Sequence, residues 1–529
     1  MATSSDGGIP RPDRVLPTPL RTLADELRWT GVDPEWADQS EVVIGRDVAV
    51  TGITASSKYV RPGDLFAALP GARAHGVRFA AQARAAGAVA LLTDRAGLDQ
   101  LDGEFDSVLV VEDVRDRLGR VSAKVYGSPS SYVAALGVTG TSGKTTTTFL
   151  MRAGLQAAGR VPGLIGTVAT MIGDDEIKTG FTTPEAPELQ ALLAVMRERG
   201  VTDVAMEVSS HALALGRVGG TWFRTAGFTN LSEDHLDFHE TIEEYFKAKA
   251  SLFLNQHYTD RPVVVVDDHY GDLLSDMLGG PAVTASGWDN PSGTWRATRV
   301  VERPDGSTTF RVVGPDGHLT RRGPIEIDMG CAIPGRYNVA NAVLALALLY
   351  EDGVDPIVAA PAIAAASVPG RMERIDAGQP YLAVVDYSHK PAAVDGALRA
   401  LRPLTRGKLI IVLGCGGDRD RGKRPHMGAI AARDADVLVV TDDNPRSEDP
   451  AAIRRAMLDG ALGVPAAERG EVIEVAGRAD AIAAAVERVG AGDTVLVAGK
   501  GHETGQEIAG VVHPFDDRTT LRAAVEAHR

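Results

Sequence analysis

Short apolar runs, each followed by an amphipathic or alanine-rich stretch, recur along most of this chain. From Val48 to Asp94 short β-type runs alternate with an Ala-rich helix, Phe79 to Ala86, and a further strand at Val89 to Leu92, which predicts a small α/β unit. A second region opens near Ser130 with an apolar strand at Tyr132 to Leu136 and a helical pattern over Thr146 to Ala158, where Phe149, Leu150, Ala153 and Leu155 supply the apolar positions. Strands follow at Val204 to Val208, Thr225 to Thr229 and Pro262 to Val266, and strands alternating with helices imply a mostly parallel sheet. Between Trp295 and Ile327 the texture changes to β runs punctuated by Pro-Asp-Gly turns at Pro304 and Pro315, the signature of antiparallel hairpins, before a helix at Tyr337 to Tyr350. A third region begins near Pro369, with strands at Tyr381 to Val385, Lys408 to Leu413, Val437 to Val440 and Thr494 to Val497, each running straight into a polar motif. Ligands of open α/β sheets sit beyond the carboxyl ends of strands, so these four ends are expected to converge on one cleft. The pattern thus predicts an α/β chain of three domains, at 20–129, 130–367 and 368–529, preceded by a Gly-, Pro- and Ser-rich flexible tail from Met1 to Pro19.

Length agrees, since 529 residues exceed one core and domains of roughly 100 to 200 residues give about three. A formal net charge of -15 argues against a nucleic-acid-binding surface, so anionic ligands must meet local Arg and Lys. The only cysteines, Cys331 and Cys415, are too few for a disulfide framework or a thiolate zinc site, which makes a reducing cytoplasm the expected setting. No run approaches the ~20 apolar residues of a membrane helix.

The most specific chemistry lies at Gly137 to Thr146, GVTGTSGKTT, directly after the predicted strand. Glycines there let backbone N–H groups close around phosphates, Lys144 can reach the terminal phosphates, and the Thr145 hydroxyl can ligate Mg²⁺. The spacing departs from the general P-loop pattern, with Val138 where a glycine is usual and glycines at Gly137 and Gly140. A glycine-rich turn before an ordinary helix is the plain alternative. Two further polar runs lie past strand ends: Glu207 to His211, and Asn230 to His239. A carboxylate and an imidazole there could hold a hard divalent ion against ATP. Helix capping competes with this reading; metal binding leads for Glu207 and His235, and capping is at least its equal for His211, Asp237 and His239.

The third region offers Gly414 to Arg419, then Asp443-Asn444-Pro445-Arg446, then Gly499 to Glu503. Two guanidiniums, on Arg419 and Arg446, and the Glu503 carboxylate make a pocket for a zwitterion, because Arg binds carboxylate bidentately and Glu pairs with ammonium. On the residues alone the competing reading is favoured, in which both arginines pair with Asp418, Asp420, Asp443 or Glu448 on a solvated surface. Cys415 reads as a small strand-end residue.

Six motifs in order, TGTSGKTT, Glu207 with Ser209 to His211, NLSEDHLDFH, GRYNVANAVLALAL, GRMERI and DYSHKP, make nearly the whole chain resemble the ATP-dependent Mur ligases, which add amino acids to the UDP-N-acetylmuramoyl peptide precursor of peptidoglycan. TTPE at Thr182 to Glu185 resembles the muramoyl-peptide contacts of the members that add the third residue, the MurE type, and DNPR the motif of those that add meso-diaminopimelate. The resemblance implies a P-loop ATPase-like central domain and a Rossmann-like C-terminal domain. It implies that Gly140, Thr141, Ser142, Gly143, Lys144, Thr145 and Thr146 bind ATP, with Asn338 and Asn341 beside the adenine and Arg371, Asp386 and His389 brought to the nucleotide, although Lys390 replaces a smaller residue. Thr145, Glu207 and His235 would serve magnesium, and Lys249, which the residues alone give as a solvated helix lysine, matches the lysine that the family carbamylates with CO2. Lys144, Glu207, His235 and Lys249 form the implied catalytic set.

Thr182, Thr183, Ser209 and Arg217 would bind the UDP precursor, with Ser57 in the N-terminal domain; Leu215, Ser56, Lys58 and the Gly71 to Gly76 loop depart from the pattern. Arg419, Asp443, Asn444, Pro445, Arg446, Gly499 and Glu503 would bind diaminopimelate, Arg446 at its distal carboxylate. The implied reaction phosphorylates the D-glutamate γ-carboxylate of the precursor and lets the diaminopimelate amine attack the acyl phosphate, using ATP, magnesium and small-molecule substrates, with other cell-wall enzymes as candidate partners. Lysine-adding relatives, folylpolyglutamate synthetases, a P-loop switch or motor ATPase, and a non-enzymatic nucleotide-binding scaffold are the competing readings.

Overall fold

The computed structural model describes the chain except residues 1–8, 29–41, 72–73, 178, 236–237, 256–257, 281, 304, 317–323 and 529. Asp237, the Pro304 turn position, part of the Gly71 to Gly76 loop and the first eight residues of the tail therefore lie outside the described residues. The chain divides into two compact units: Met1–Arg296 with Gly314–Pro324 and Val343–Ala359, and Ala297–Val313 with Ile325–Ala342 and Ala360–Arg529. Among the described residues no helix is long and apolar enough to cross a membrane.

The first unit opens with a five-stranded sheet in the order Val42–Gly45, Ser107–Val110, Ala90–Thr93, Asp64–Ala67, Gly52–Thr54; the last four are mutually parallel and the first is antiparallel. Alternation sorts its side chains onto two faces. Leu65, Ala67, Leu92 and Leu109 pack with Leu20, Leu23, Leu118 and Val121 of the helices Leu20–Arg28 and Val114–Val125. Phe66, Leu91 and Val108 pack on the other side with Ala80 and Ala83 of the short helix Ala80–Ala85.

The tail expected to be flexible is instead docked over its described part. Arg11 donates two hydrogen bonds from one guanidinium nitrogen to the Asp64 carboxylate (2.6 and 2.8 Å) and a third to the Tyr59 carbonyl (3.0 Å). Backbone N–H groups of Asp13 and Arg14 donate to the Glu198 carboxylate at 2.9 and 3.1 Å, and Thr18–Pro19 pairs with Ala49–Val50. Prolines at 10, 12, 17 and 19 reduce the entropy lost in ordering this stretch. Composition registers those prolines as disorder; the anchor is one arginine and one distant glutamate.

The larger sheet of this unit runs in the order Asp175–Ile177, Thr170–Ile172, Pro162–Ile165, Asp203–Glu207, Ala134–Thr139, Phe223–Phe228, Pro262–Val265, Val283–Ser286. From Pro162–Ile165 onward its pairs are parallel. Ala134–Thr139 is central and buried along its length, and the helix Lys144–Ala157 leaves directly from its carboxyl end. The expected β texture follows as strands Trp295–Glu302, Thr308–Asp316 and Pro324–Cys331, the first two joined by a turn closed by Arg303 N–H donating to Ser307 O (2.8 Å). The boundary between the two units passes through these strands.

In the second unit the four expected strands, Leu382–Asp386, Thr494–Ala498, Leu409–Leu413 and Val437–Val440, are neighbours in that order and parallel, with Glu373–Arg374 at one edge and Glu471–Glu474 at the other. Both faces are covered, so the strands read as near-continuous Val, Ile and Leu. Their four polar carboxyl ends consequently lie side by side.

Candidate functional site

In the first unit the phosphate loop is shaped by glycine. Gly140 has φ +142°, and a Cβ there would lie 1.9 Å from the Thr229 hydroxyl oxygen. Thr141 and Ser142 are tied to the next strand end: Thr141 N–H donates to Asn230 O (2.9 Å), Ser142 N–H to Asn230 Oδ1 (3.0 Å), and Thr229 Oγ1 to Ser142 O (2.6 Å). Gly143, at φ +90°, caps the helix that carries Lys144, Thr145 and Thr146. Lys144 Nζ donates to the carbonyls of Gly140 (2.8 Å) and Thr141 (2.9 Å).

Lys249 lies on the helix Ile242–Leu254 and is 1% exposed, which corrects its reading as a solvated helix lysine. Its Nζ donates to the same Gly140 carbonyl at 2.7 Å and sits 4.5 Å from the Tyr245 ring centroid. Two ammonium groups sharing one carbonyl concentrate positive charge at the loop, the field that attracts phosphate. Burial pushes the Tyr245 hydroxyl far above its usual range, so it stays neutral and hydrogen-bonds Thr141 Oγ1 at 3.2 Å.

Glu207, 1% exposed at the end of its strand, accepts from Thr145 Oγ1 (2.9 Å), Thr167 N–H (2.8 Å) and Thr167 Oγ1 (3.1 Å). Thr167 Oγ1 reaches Thr182 Oγ1 at 3.0 Å, while Thr183 Oγ1 donates to the Glu207 carbonyl (2.8 Å) and accepts from Ser209 N–H (3.2 Å). Hydrogen bonds thus run unbroken from the phosphate loop to the Thr182–Thr183 pair. Ser209 Oγ also caps its helix, accepting from Ala212 N–H at 3.1 Å. Arg217 pairs with Glu185 (2.8 Å) and donates to Thr183 O (3.3 Å).

His235, with φ +54°, stacks edge-on to His211 at 4.8 Å between centroids and lies 3.4 Å from the Asp234 carboxylate. His239 packs on Tyr245 at 5.2 Å. In the N-terminal sheet, Ser57 Oγ donates to Gln82 Oε1 (3.1 Å), beside a cleft of about 80 Å³ lined by Arg11, Thr54, Lys58, Arg61 and Glu188 among others. Thr167 belongs to no motif and was missed; its signal was only a hydroxyl just past the Pro162–Ile165 strand.

In the second unit Asp386 is held rigidly, accepting from Met372 N–H (2.7 Å), Ser388 N–H (2.9 Å) and Ser388 Oγ. Arg371 stacks over Tyr387 at 4.3 Å. Burial, reinforced by Lys390 and Lys423 and opposed by a hydrogen bond to Tyr387 O, pushes the His389 imidazole down to about 4, so it is neutral at pH 7. Asn338 Nδ2 donates to Pro334 O (2.7 Å) and Asn341 Nδ2 to Asn338 Oδ1 (2.9 Å), both buried on the helix Tyr337–Glu351.

Arg446 sits in the left-handed region at φ +51°. Its guanidinium donates to Gly417 O (2.7 Å) and lies 3.3 Å from the Glu507 carboxylate; of the expected surface partners Asp418, Asp420, Asp443 and Glu448, Asp418 feels its charge, without an ion pair among the described residues. Glu448 is taken by Arg424 (2.9 Å) and Arg421 (3.2 Å). A Cβ on Gly417 would lie 2.0 Å from Pro445 O, which explains a glycine where the two loops cross. Arg419 is exposed, with no hydrogen bond or ion pair among the described residues. Asp443 and Asn444 are buried, Gly499 N–H donates to Asp386 O (3.1 Å), and Asn444 Nδ2 donates to Glu503 Oε2 (2.8 Å). Arg446 and Glu503 therefore offer both charges that a zwitterion needs.

A Mur ligase middle domain model matches residues 138–349, a Mur ligase glutamate ligase domain model residues 370–501, and a Mur ligase family catalytic domain model residues 49–126. A protein of Streptomyces avermitilis called UDP-N-acetylmuramoyl-L-alanyl-D-glutamate--2,6-diaminopimelate ligase is 55% identical over 521 residues, covering 98% of each chain. One of the same name from Streptomyces coelicolor is 53% identical over 521 residues, again with 98% coverage of each. A solved structure of a UDP-N-acetylmuramoyl-L-alanyl-D-glutamate--2,6-diaminopimelate ligase superposes with a TM-score of 0.67 at 30% identity, covering 97% of this chain and 99% of that one. The chain belongs to the Mur ligase family.

Proposed function

We propose that this chain is an ATP-dependent ligase that joins meso-diaminopimelate to the D-glutamate γ-carboxylate of UDP-N-acetylmuramoyl-L-alanyl-D-glutamate. The names of the relatives at 53 to 55% identity point to it. The observation that carries it is the hydrogen-bond path from Thr145 through Glu207 and Thr167 to Thr182, which couples the phosphate loop to the threonines that would hold the peptide end of the precursor. The domain division at 20–129, 130–367 and 368–529 and a cytoplasmic location are part of this reading.

In the mechanism, loop N–H groups and Lys144 hold ATP phosphates, and a γ-carboxylate oxygen attacks the γ-phosphorus to give an acyl phosphate and ADP. The neutral amine then adds to the acyl carbon, the C–O bond to phosphate breaks in the tetrahedral intermediate, and the surplus proton on nitrogen passes to the departing phosphate as the amide forms. Asn338, Asn341, Arg371, Asp386 and His389 complete nucleotide binding, His389 as an uncharged imidazole. Thr182, Thr183, Ser209, Arg217 and Ser57 hold the precursor. Arg419, Asp443, Asn444, Pro445, Arg446, Gly499 and Glu503 form the amino-acid pocket, with Arg446 at the distal carboxylate.

Magnesium fits the donors present: the Thr145 hydroxyl lies 2.9 Å from the buried Glu207 carboxylate, a hard oxygen pair of the kind that magnesium uses beside substrate oxygens. Thr145, Glu207, His235 and a carbamylated Lys249 would hold it, and it would neutralise charge on the transferring phosphoryl group. A carbamate on Lys249 would replace one of two neighbouring ammoniums by an anion, giving Lys144 a counter-charge.

The test is phosphate release from ATP with each acceptor omitted in turn, with product identified by mass. Release should need both the nucleotide precursor and diaminopimelate, with lysine a poor substitute. Equal turnover without acceptors would leave a plain ATPase.

A further inference from the structure

Beneath the pocket, at the carboxyl end of the Thr494–Ala498 strand, lies an ionic cluster in which Lys500, Arg478 and Asp517 have no role assigned so far. Lys500 is 0% exposed, yet its ammonium is partnered by one amide and two carboxylates: Nζ donates to Asn444 Oδ1 (2.9 Å) and Glu503 Oε2 (3.2 Å) and lies 4.0 Å from Asp443 Oδ1. Arg478, also buried, pairs with Asp517 through two 2.7 Å hydrogen bonds and approaches Asp443 at 3.9 Å. Lys500 and Arg478 thus face Asp443, Asp517 and Glu503, two cations against three carboxylates. Of these five side chains only Glu503, at 32%, is appreciably exposed. The surplus negative charge of the cluster is therefore presented at Glu503.

Its direction is fixed as well. Glu503 Oε2 accepts from both Lys500 and Asn444 Nδ2 (2.8 Å), and the Tyr387 hydroxyl is a further hydrogen-bond partner of the same carboxylate. Asn444 cannot rotate to release it, because its Oδ1 accepts from Lys500 and from Glu507 N–H (3.0 Å). We propose that Lys500 is a positioning residue of the amino-acid pocket: its buried ammonium locks Asn444 and Glu503 so that the half-buried Glu503 carboxylate is held to meet an ammonium group of the incoming amino acid. This rests on the reading of that pocket given above. A preorganised acceptor spares the binding step the cost of ordering it.

Steady-state kinetics on the full chain test it. Lys500→Met should raise the KM for diaminopimelate about 30-fold or more, while the KM values for ATP and the nucleotide precursor stay within about threefold of wild type. In the Lys500→Met/Glu503→Gln double variant the diaminopimelate KM should be no worse than in Glu503→Gln alone, since both changes break one unit. A folded Lys500→Met protein with an unchanged diaminopimelate KM, or effects that add in full, would overturn the proposal. If Lys500→Met fails to fold and the double variant folds, the ammonium is confirmed as the counter-charge of Glu503. If neither folds, Asn444→Asp decides, because it keeps Lys500 paired but removes a donor from Glu503: a raised diaminopimelate KM supports the lock and an unchanged one refutes it. Wild-type protein that does not use diaminopimelate at all would refute the underlying pocket reading instead.

Discussion

Arg160 holds two buried carboxylates with one nitrogen, Asp203 at 2.6 Å and Asp352 at 2.5 Å. Burial first, and the neighbouring Asp203 charge second, push Asp352 up to about 7 against the pull of Arg160. A raised carboxyl pKa means that the folded chain binds more protons than the unfolded one between about pH 4 and pH 7. Stability from this site is thus fully present below the unfolded value and is lost as pH rises through the folded one. Asp352→Asn should flatten the fall in Tm between about pH 4 and pH 7; an unaltered slope would place the titration elsewhere. At the amino-acid pocket, Arg446→Ala should cost about 2 to 5 kcal/mol in kcat/KM for diaminopimelate, with nucleotide binding nearly intact. Glu507, which already neutralises part of that guanidinium, favours the lower end. An unchanged preference for diaminopimelate over lysine would move recognition to Arg419.

Among the elements, the docked N-terminal segment makes a prediction that composition opposes. Arg11→Ala leaves the Asp64 carboxylate buried with, among the described residues, only the Arg61 N–H still donating to it, at a cost of about 2 kcal/mol. The lost stability should appear as a lower Tm, and loosening of the cleft at Lys58 and Arg61 as a raised KM for the UDP precursor with little change for diaminopimelate. Equal Tm and KM values would show the segment to be idle. The strands of the second unit and the helix after the phosphate loop were legible because a parallel strand buried on both faces leaves an apolar run that ends abruptly at its polar motif. Boundaries moved by one to three residues; the Tyr132 to Leu136 strand is Ala134–Thr139, since glycine and threonine continue the ladder beyond the apolar letters. The burial of Lys249, and the roles of Thr167, Lys500 and the Arg11 anchor, were illegible for one reason: each has a partner tens or hundreds of residues away, and a lone polar letter carries no trace of it.

Over the whole molecule, the proposed chemistry is divided between two compact units, with Lys144 in one and Arg446 in the other. Activation of the carboxylate precedes attack by the amine, so the two residues should fail at different steps. Arg446→Ala should still scramble oxygen isotope within ATP when the UDP precursor alone is present, because the acyl phosphate can form and revert. Lys144→Ala should lose this exchange together with net turnover. Loss of both activities in both variants would mean that the steps cannot be separated. Cys331 and Cys415 are 1% and 3% exposed, and burial pushes their thiols up to about 11 and about 12. Almost no thiolate exists at neutral pH, and what exists is out of reach of a reagent. A maleimide dye should therefore ignore the native chain, and a single cysteine placed on either unit would report on that unit alone, against a dark background and without first stripping the protein of its own sulfur.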